Sequence, residues 1–138
     1  MFLPWIDRYS IGDELIDNQH RKMLEMINTL HSALVHKGST EVVRQVISQV
    51  VEYSREHFVA EEALMEKTNY PGLAVHRKLH AAMIKKLTML LHRIKRGEEI
   101  SVRELLAFLK SWWQDHIVTE DRKIGTWMNE RQEVGTGG

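Results

Sequence analysis

His57 and Glu61 stand four residues apart, and His76 and His80 repeat that interval. On a helix a four-residue step puts both side chains on one face. Imidazole together with carboxylate is a ligand set for first-row transition metals. His20 and His116 fall on the apolar faces of two further helical segments. A lone core histidine is usually satisfied by a hydrogen bond. Six polar side chains on four apolar faces are a heavier load. Each costs about 1–3 kcal/mol if left unsatisfied, against a typical net stability of about 5–15 kcal/mol. A metal centre satisfies them together.

The elements that must position these residues are helices. The apolar pattern is helical rather than alternating, and the only prolines are Pro4 and Pro71. We expect an all-α fold, an up-down-up-down antiparallel four-helix bundle with an extended N-terminal arm. The arm covers residues 1–16, with Trp5, Ile6 and Ile11 to pin it; the helical domain covers 17–131; residues 132–138 form a flexible tail. The first helix starts with Asp17 as N-cap and stops at Gly38. Its buried stripe is His20, Leu24, Ile27, His31 and Leu34. The second follows Ser39 and Thr40, carries Val43, Val46, Val50, Ser54, His57, Glu61 and Leu64, and ends before Tyr70-Pro71-Gly72. The third starts at Pro71, carries His76, His80, Met83, Leu87, Leu90 and Ile94, and stops at Gly97. The fourth opens on a capping-box pattern, Ser101 to Glu104, and carries Leu105, Leu109, Trp112 and His116.

In such a bundle the polar residues share one end. His20 is early in its helix, His57 and Glu61 late, His76 and His80 early, and His116 late. The chain path from His20 to His57 nearly equals that from the His76/His80 pair to His116, which brings all of them to one level. Five imidazoles exceed an ordinary single-metal site, so two cations are the natural reading, and bridging carboxylates relieve their mutual repulsion. Glu61 supplies one bridge. Asp121 is the better candidate for the other, although a five-residue step from His116 rotates about 140° on an ideal helix. Both ligate only if the helix distorts there or the two side chains approach the metals from different sides. Asp115 points about 100° away from His116 and ranks below it.

Composition narrows the class. The 138 residues suit one domain, 43% are hydrophobic, and Lys+Arg and Asp+Glu balance at 19 each. That balance argues against a general attraction to nucleic acid or an anionic membrane. Without cysteine there are no disulfides, thiolate sites or cysteine nucleophiles. The apolar run in MFLPWIDRYS is too short for a signal peptide, and no segment approaches a membrane span. We expect a cytoplasmic protein without membrane insertion.

The segments IDNQH (16–20), HFVAEE (57–62), YPGLAVHRKLH (70–80) and HIVTED (116–121), in this order and separation, resemble the hemerythrin family, specifically its single-domain bacterial members. The resemblance spans nearly the whole chain. It implies that His76, His80 and His116 hold one iron and His20 and His57 the other. Glu61 and Asp121 would bridge the two iron ions together with an oxo or hydroxo group. The iron with two histidines keeps an open position for molecular oxygen, bound reversibly. Phe58, Trp112, Trp113 and Ile117 lie next to or within a turn of the histidines and are candidates for an apolar wall around the oxygen; plain core packing accounts for Phe58 and Trp112 equally well. Glu62 and Glu66 suit a solvated or supporting role rather than ligation. His31 lies about 16 Å along its helix from His20 and suits a hydrogen-bonded core or boundary site, with His36 and His92 at the far end or the surface. Met23, Met26, Met65, Met83 and Met89 read as core filler.

The leading function is oxygen carriage, storage or delivery, with an oxygen-consuming protein as recipient and no enzymatic activity. The alternatives are a peroxidase, nitric-oxide-handling or iron–sulfur repair enzyme, and an oxygen or iron sensor. The enzyme needs a proton donor at the open position, and no buried acid stands out there. The sensor needs a separate transducing partner, since no second domain is evident in the chain.

Overall fold

Four antiparallel rods carry the structure, a computed structural model that describes residues 2–36 and 40–137, with side chains for 2–36 and 41–131. Helices α1 (Glu14–Val35), α2 (Thr40–Lys67) and α3 (Leu73–Lys95) form three rods. The fourth is continuous through α4 (Val102–Asp115), a π-helical segment (His116–Asp121) and α5 (Arg122–Gly137). Helix α1 packs beside α2 and α2 beside α3, and α4 returns against α1. Among the described residues no helix is long and apolar enough to cross a membrane.

The helix ends follow local chemistry. Asp13 caps α1 by accepting from the Ile16 amide at 3.0 Å, so the helix begins earlier than the expected start at Asp17. Asp17 instead sits in the first turn and grips the arm, accepting from Ser10 Oγ at 2.5 Å and the Ile11 amide at 2.8 Å. Ser101 caps α4 through the Glu104 amide at 3.2 Å. Helix α2 closes with Asn69 in the left-handed region (φ 56°), the Asn69 amide donating to Glu66 and the Tyr70 amide to Met65. Gly97 (φ 81°) closes α3 with the same paired bonds. Both endings satisfy otherwise orphaned carbonyls. Pro71 lies in the intervening turn, and α3 begins two residues after it, later than expected. The expected stop at Gly38 lies outside the described residues. Helical backbone runs to Gly137, through most of the segment expected as a flexible tail; the side chains of 132–138 are outside the description.

Of the residues expected to pin the arm, Ile11 is buried and Trp5 packs against the core, and Ile6 alone does not. Leu3, Tyr9 and Ile11 are buried, whereas Ile6 is 44% exposed and Trp5 only half-buried. Asn28 brackets Leu3, accepting its amide at 2.7 Å and donating to its carbonyl at 2.9 Å. Tyr9 Oη accepts from Gln114 Nε2 at 3.1 Å. Gly125 on α5 is required by this docking, because a Cβ there would strike the Ile11 carbonyl.

The core runs the length of the bundle through Met23, Leu24, Ile27, Leu30, Val46, Ile47, Val50, Val51, Met83, Leu87, Leu106 and Leu109. His31 and Leu34 are half-buried rather than buried, and the His31 ring stacks on Phe2 at 4.4 Å instead of taking the expected hydrogen-bonded setting. Met89 is 59% exposed and is not core filler. On α4 the fully buried indole is Trp113; Trp112, expected in the stripe, is half-buried.

Candidate metal centre

Among the described residues nine polar or charged side chains are buried, and seven of them converge at one end of the bundle: His20, His57, Glu61, His76, His80, His116 and Asp121. His20 comes from the second turn of α1, His57 and Glu61 from α2, His76 and His80 from α3, and His116 and Asp121 from the two ends of the π segment. A π turn takes in an extra residue, and the Arg122 amide accordingly donates to Ile117, five residues back. That widening brings Asp121 round to the same side as His116, 3.1 Å from its Nε2. Asp115 is exposed and stays outside the cluster.

The geometry divides the seven into two groups. His76, His80 and His116 form one with Glu61 and Asp121; His20 and His57 form the other with the same two carboxylates. Each carboxylate turns one oxygen to each group. Glu61 Oε1 lies 2.9 Å from His76 Nε2 and 3.0 Å from His80 Nε2, whereas Oε2 lies 3.2 Å from His57 Nε2 and 3.5 Å from His20 Nε2. Asp121 Oδ1 lies 3.0 Å from His76 Nε2, and Oδ2 lies 3.0 Å from His20 Nε2.

This donor set fits cations rather than mutual hydrogen bonding. His76 Nε2 and His80 Nε2 lie 3.1 and 3.2 Å from His116 Nε2. Where His80 donates through Nδ1 to Glu62, its Nε2 presents a lone pair, and His116 Nε2 has at most one proton to share between that lone pair and His76 Nε2. His20 Nε2, His57 Nε2 and all four carboxylate oxygens of Glu61 and Asp121 are buried and face only other members of the cluster, with no hydrogen-bond partner outside it. So many such atoms in one place need an explanation, and metal coordination supplies one.

Electrostatics agree. Burial opposes protonation of His20 and His76, but Asp121 and Glu61 outweigh it and hold both imidazoles up at about 9. At His57 burial prevails and the pKa is lowered. Burial raises the carboxyls too, yet His20, His57, His76 and His80 hold Glu61 well below its usual range. Asp121, pushed up by burial and by the Glu61 charge, is likewise held low by His116 and His20. Two buried anions therefore demand positive charge from protons or from metal ions.

The outer nitrogens of two ligand candidates are tied down. His57 Nδ1 meets Gln19 Oε1 at 2.9 Å, and His80 Nδ1 meets Glu62 Oε2 at 3.0 Å. Such contacts fix the ring and its tautomer. Glu62 takes the supporting position expected of it; Gln19 was not legible, because it acts across helices and carries no spacing signal. The Phe58 ring stacks on His80 at 3.9 Å, and Trp112 stacks on His116 at 4.4 Å. Trp113 lies 5.8 Å from His57, and its indole nitrogen is buried without a partner. Ile117 is buried beside His116.

Comparison with known proteins bears on the fold and the family. Residues 11–128 match the family model described as the hemerythrin HHE cation binding domain. A bacteriohemerythrin of Stenotrophomonas maltophilia is 40% identical over 87% of this chain and 77% of its own length. One of Clostridium acetobutylicum is 28% identical over 86% of this chain and 95% of its own. The crystal structure of wild-type hemerythrin superposes with a TM-score of 0.86 at 23% identity, covering 91% of this chain and 97% of that one, a likeness of fold. With its family model matched over nearly the whole bundle, the chain belongs to the hemerythrin HHE cation-binding family.

Proposed function

We propose that the centre holds two iron ions with a solvent-derived oxygen bridge and binds molecular oxygen reversibly, for carriage, storage or delivery. The observation that supports this is the unequal division of histidines, three and two, around two shared carboxylates. The group with two histidines offers one protein donor fewer, which leaves a place for an exogenous ligand. An iron pair supplies two electrons at one point, the number a bound oxygen molecule borrows and returns.

The chain's own residues do the rest. His57 and His80 are oriented by Gln19 and Glu62. Among the described residues, Glu61 and Asp121 are the only carboxylates in the cluster. A set this rich in neutral imidazole stabilises highly oxidised iron less than a carboxylate-rich set, and that favours release over oxygen cleavage. Phe58, Trp113 and Ile117, all buried, wall the histidines with apolar surface and exclude water. Trp112 covers His116 at the edge of a surface cleft that Leu79 and Phe108 also line.

The test is a metal assay joined to visible spectra over repeated oxygenation and deoxygenation. Two irons per chain and a charge-transfer absorption that comes and goes with oxygen over several cycles are expected. One-way oxidation with peroxide turnover would overturn the carrier reading in favour of an enzyme.

A further inference from the structure

Two of the five clustered imidazoles have a partner on the outer nitrogen, and the partners differ in charge. Behind His80 stands the Glu62 carboxylate, whose second oxygen accepts from Arg77 Nε at 3.0 Å on the bundle surface. Behind His57 stands the neutral amide oxygen of Gln19. The outer nitrogens of His20 and His76 have no partner at all. A ring N–H held by a carboxylate makes the opposite nitrogen a stronger donor to a metal than one held by an amide.

We propose that Glu62, fixed by Arg77, is a positioning residue that makes the two cation subsites unequal. It tightens the grip of the His76/His80/His116 subsite and biases that cation towards the higher oxidation state. Gln19 leaves the His20/His57 subsite the looser of the two. This rests on the two-cation reading above. It assigns to a side chain outside the cluster the task of deciding which ion is retained and which end of the centre is readily reduced.

Cobalt(II) titration of the metal-free full chain, followed by stopped-flow release to a chelator, tests it. The wild type should bind two ions and release them in a fast and a slow phase. Glu62→Gln keeps an acceptor oxygen but removes the charge; it should still bind two ions while the slow phase accelerates about 10–100-fold. Gln19→Glu should act in the opposite sense and slow the fast phase. Arg77→Gln, a surface change, should accelerate the slow phase to a lesser extent, and it serves if Glu62→Gln does not fold. In iron-loaded protein the midpoint potential should rise in Glu62→Gln and fall in Gln19→Glu. A purely structural role would not shift the two variants in opposite directions.

An unchanged slow phase in well-folded Glu62→Gln, or accelerated release from Gln19→Glu, overturns the proposal while leaving the two-cation reading intact. Fewer than two ions bound by the wild type overturns both.

Discussion

His116 Nε2 lies 3.1 Å from Asp121 Oδ1, although five residues separate them and a regular α-helix would turn the second side chain about 140° away. The π segment His116–Asp121 closes that gap. Asp121→Ala should therefore cost the centre at least one of its two metal ions, while Asp115→Ala, one residue from His116 and exposed, should keep both. Metal content after gel filtration distinguishes them. Equal loss in the two variants would contradict the placement of Asp121.

His57 belongs to the smaller histidine group, which under the proposed function has the place for an exogenous ligand. His57→Ala should abolish oxygen binding, because its iron loses one of two imidazoles. The visible spectrum under oxygen is the measurement, and an oxygenated spectrum like that of the wild type would refute the assignment.

Trp112 covers His116 while half-exposed at the cleft edge. Trp112→Ala should admit water and shorten the lifetime of the oxygen-bound form without unfolding the bundle. A decay rate under air equal to that of the wild type would place the shield elsewhere.

Acidity should act on the metal-free protein in two windows. His20 and His76 are raised from 6.5 to about 9 in the fold, so their stabilisation is complete below about pH 6.5 and is lost as the pH rises through 9. Glu61 and Asp121 are lowered from 4.5 and 3.8, so theirs is present above those values and is lost in acid. His57, lowered from 6.5 by burial, contributes in the opposite sense to His20 and His76, its share being lost as the pH falls below 6.5. Stability to urea should therefore peak at roughly pH 6.5 and decline on both sides. Metal affinity should instead rise with pH up to about 9, since the cations compete with the protons on His20 and His76. A urea midpoint that climbs from pH 6.5 to 9.5 in chelator-treated protein would contradict this account.

Gly125 faces the Ile11 carbonyl with no space for a side chain. Gly125→Ala should lift the arm from α5 and cost about 1–3 kcal/mol, as overpacking does. A calorimetric melting temperature no lower than that of the wild type would show that the arm adapts freely.

Much of this molecule can be read in the linear chain. The steps from His57 to Glu61 and from His76 to His80 fix shared helix faces, and nearly equal path lengths bring them level with His20 and His116. A helix is rigid and periodic, so spacing alone fixes both height and direction. The helix starts at Glu14 and Leu73 were less legible. Asp13 and Asp17 are both good caps, and only the demand of the arm for Asp17 decides between them.

Other features were settled by packing. Whether Trp112 or its neighbour Trp113 is buried depends on how α4 is rotated against the other helices, and 100° per residue leaves two adjacent indoles closely matched. The pairing of Gln19 with His57 and of Glu62 with His80 crosses between helices and depends on side-chain rotamers. The chain thus determined which donor types occur and at what level along the rods. Tertiary structure decided which carboxylate oxygen faces which imidazole and what stands behind each ring, because those contacts depend on the relative rotation of rods far apart in sequence.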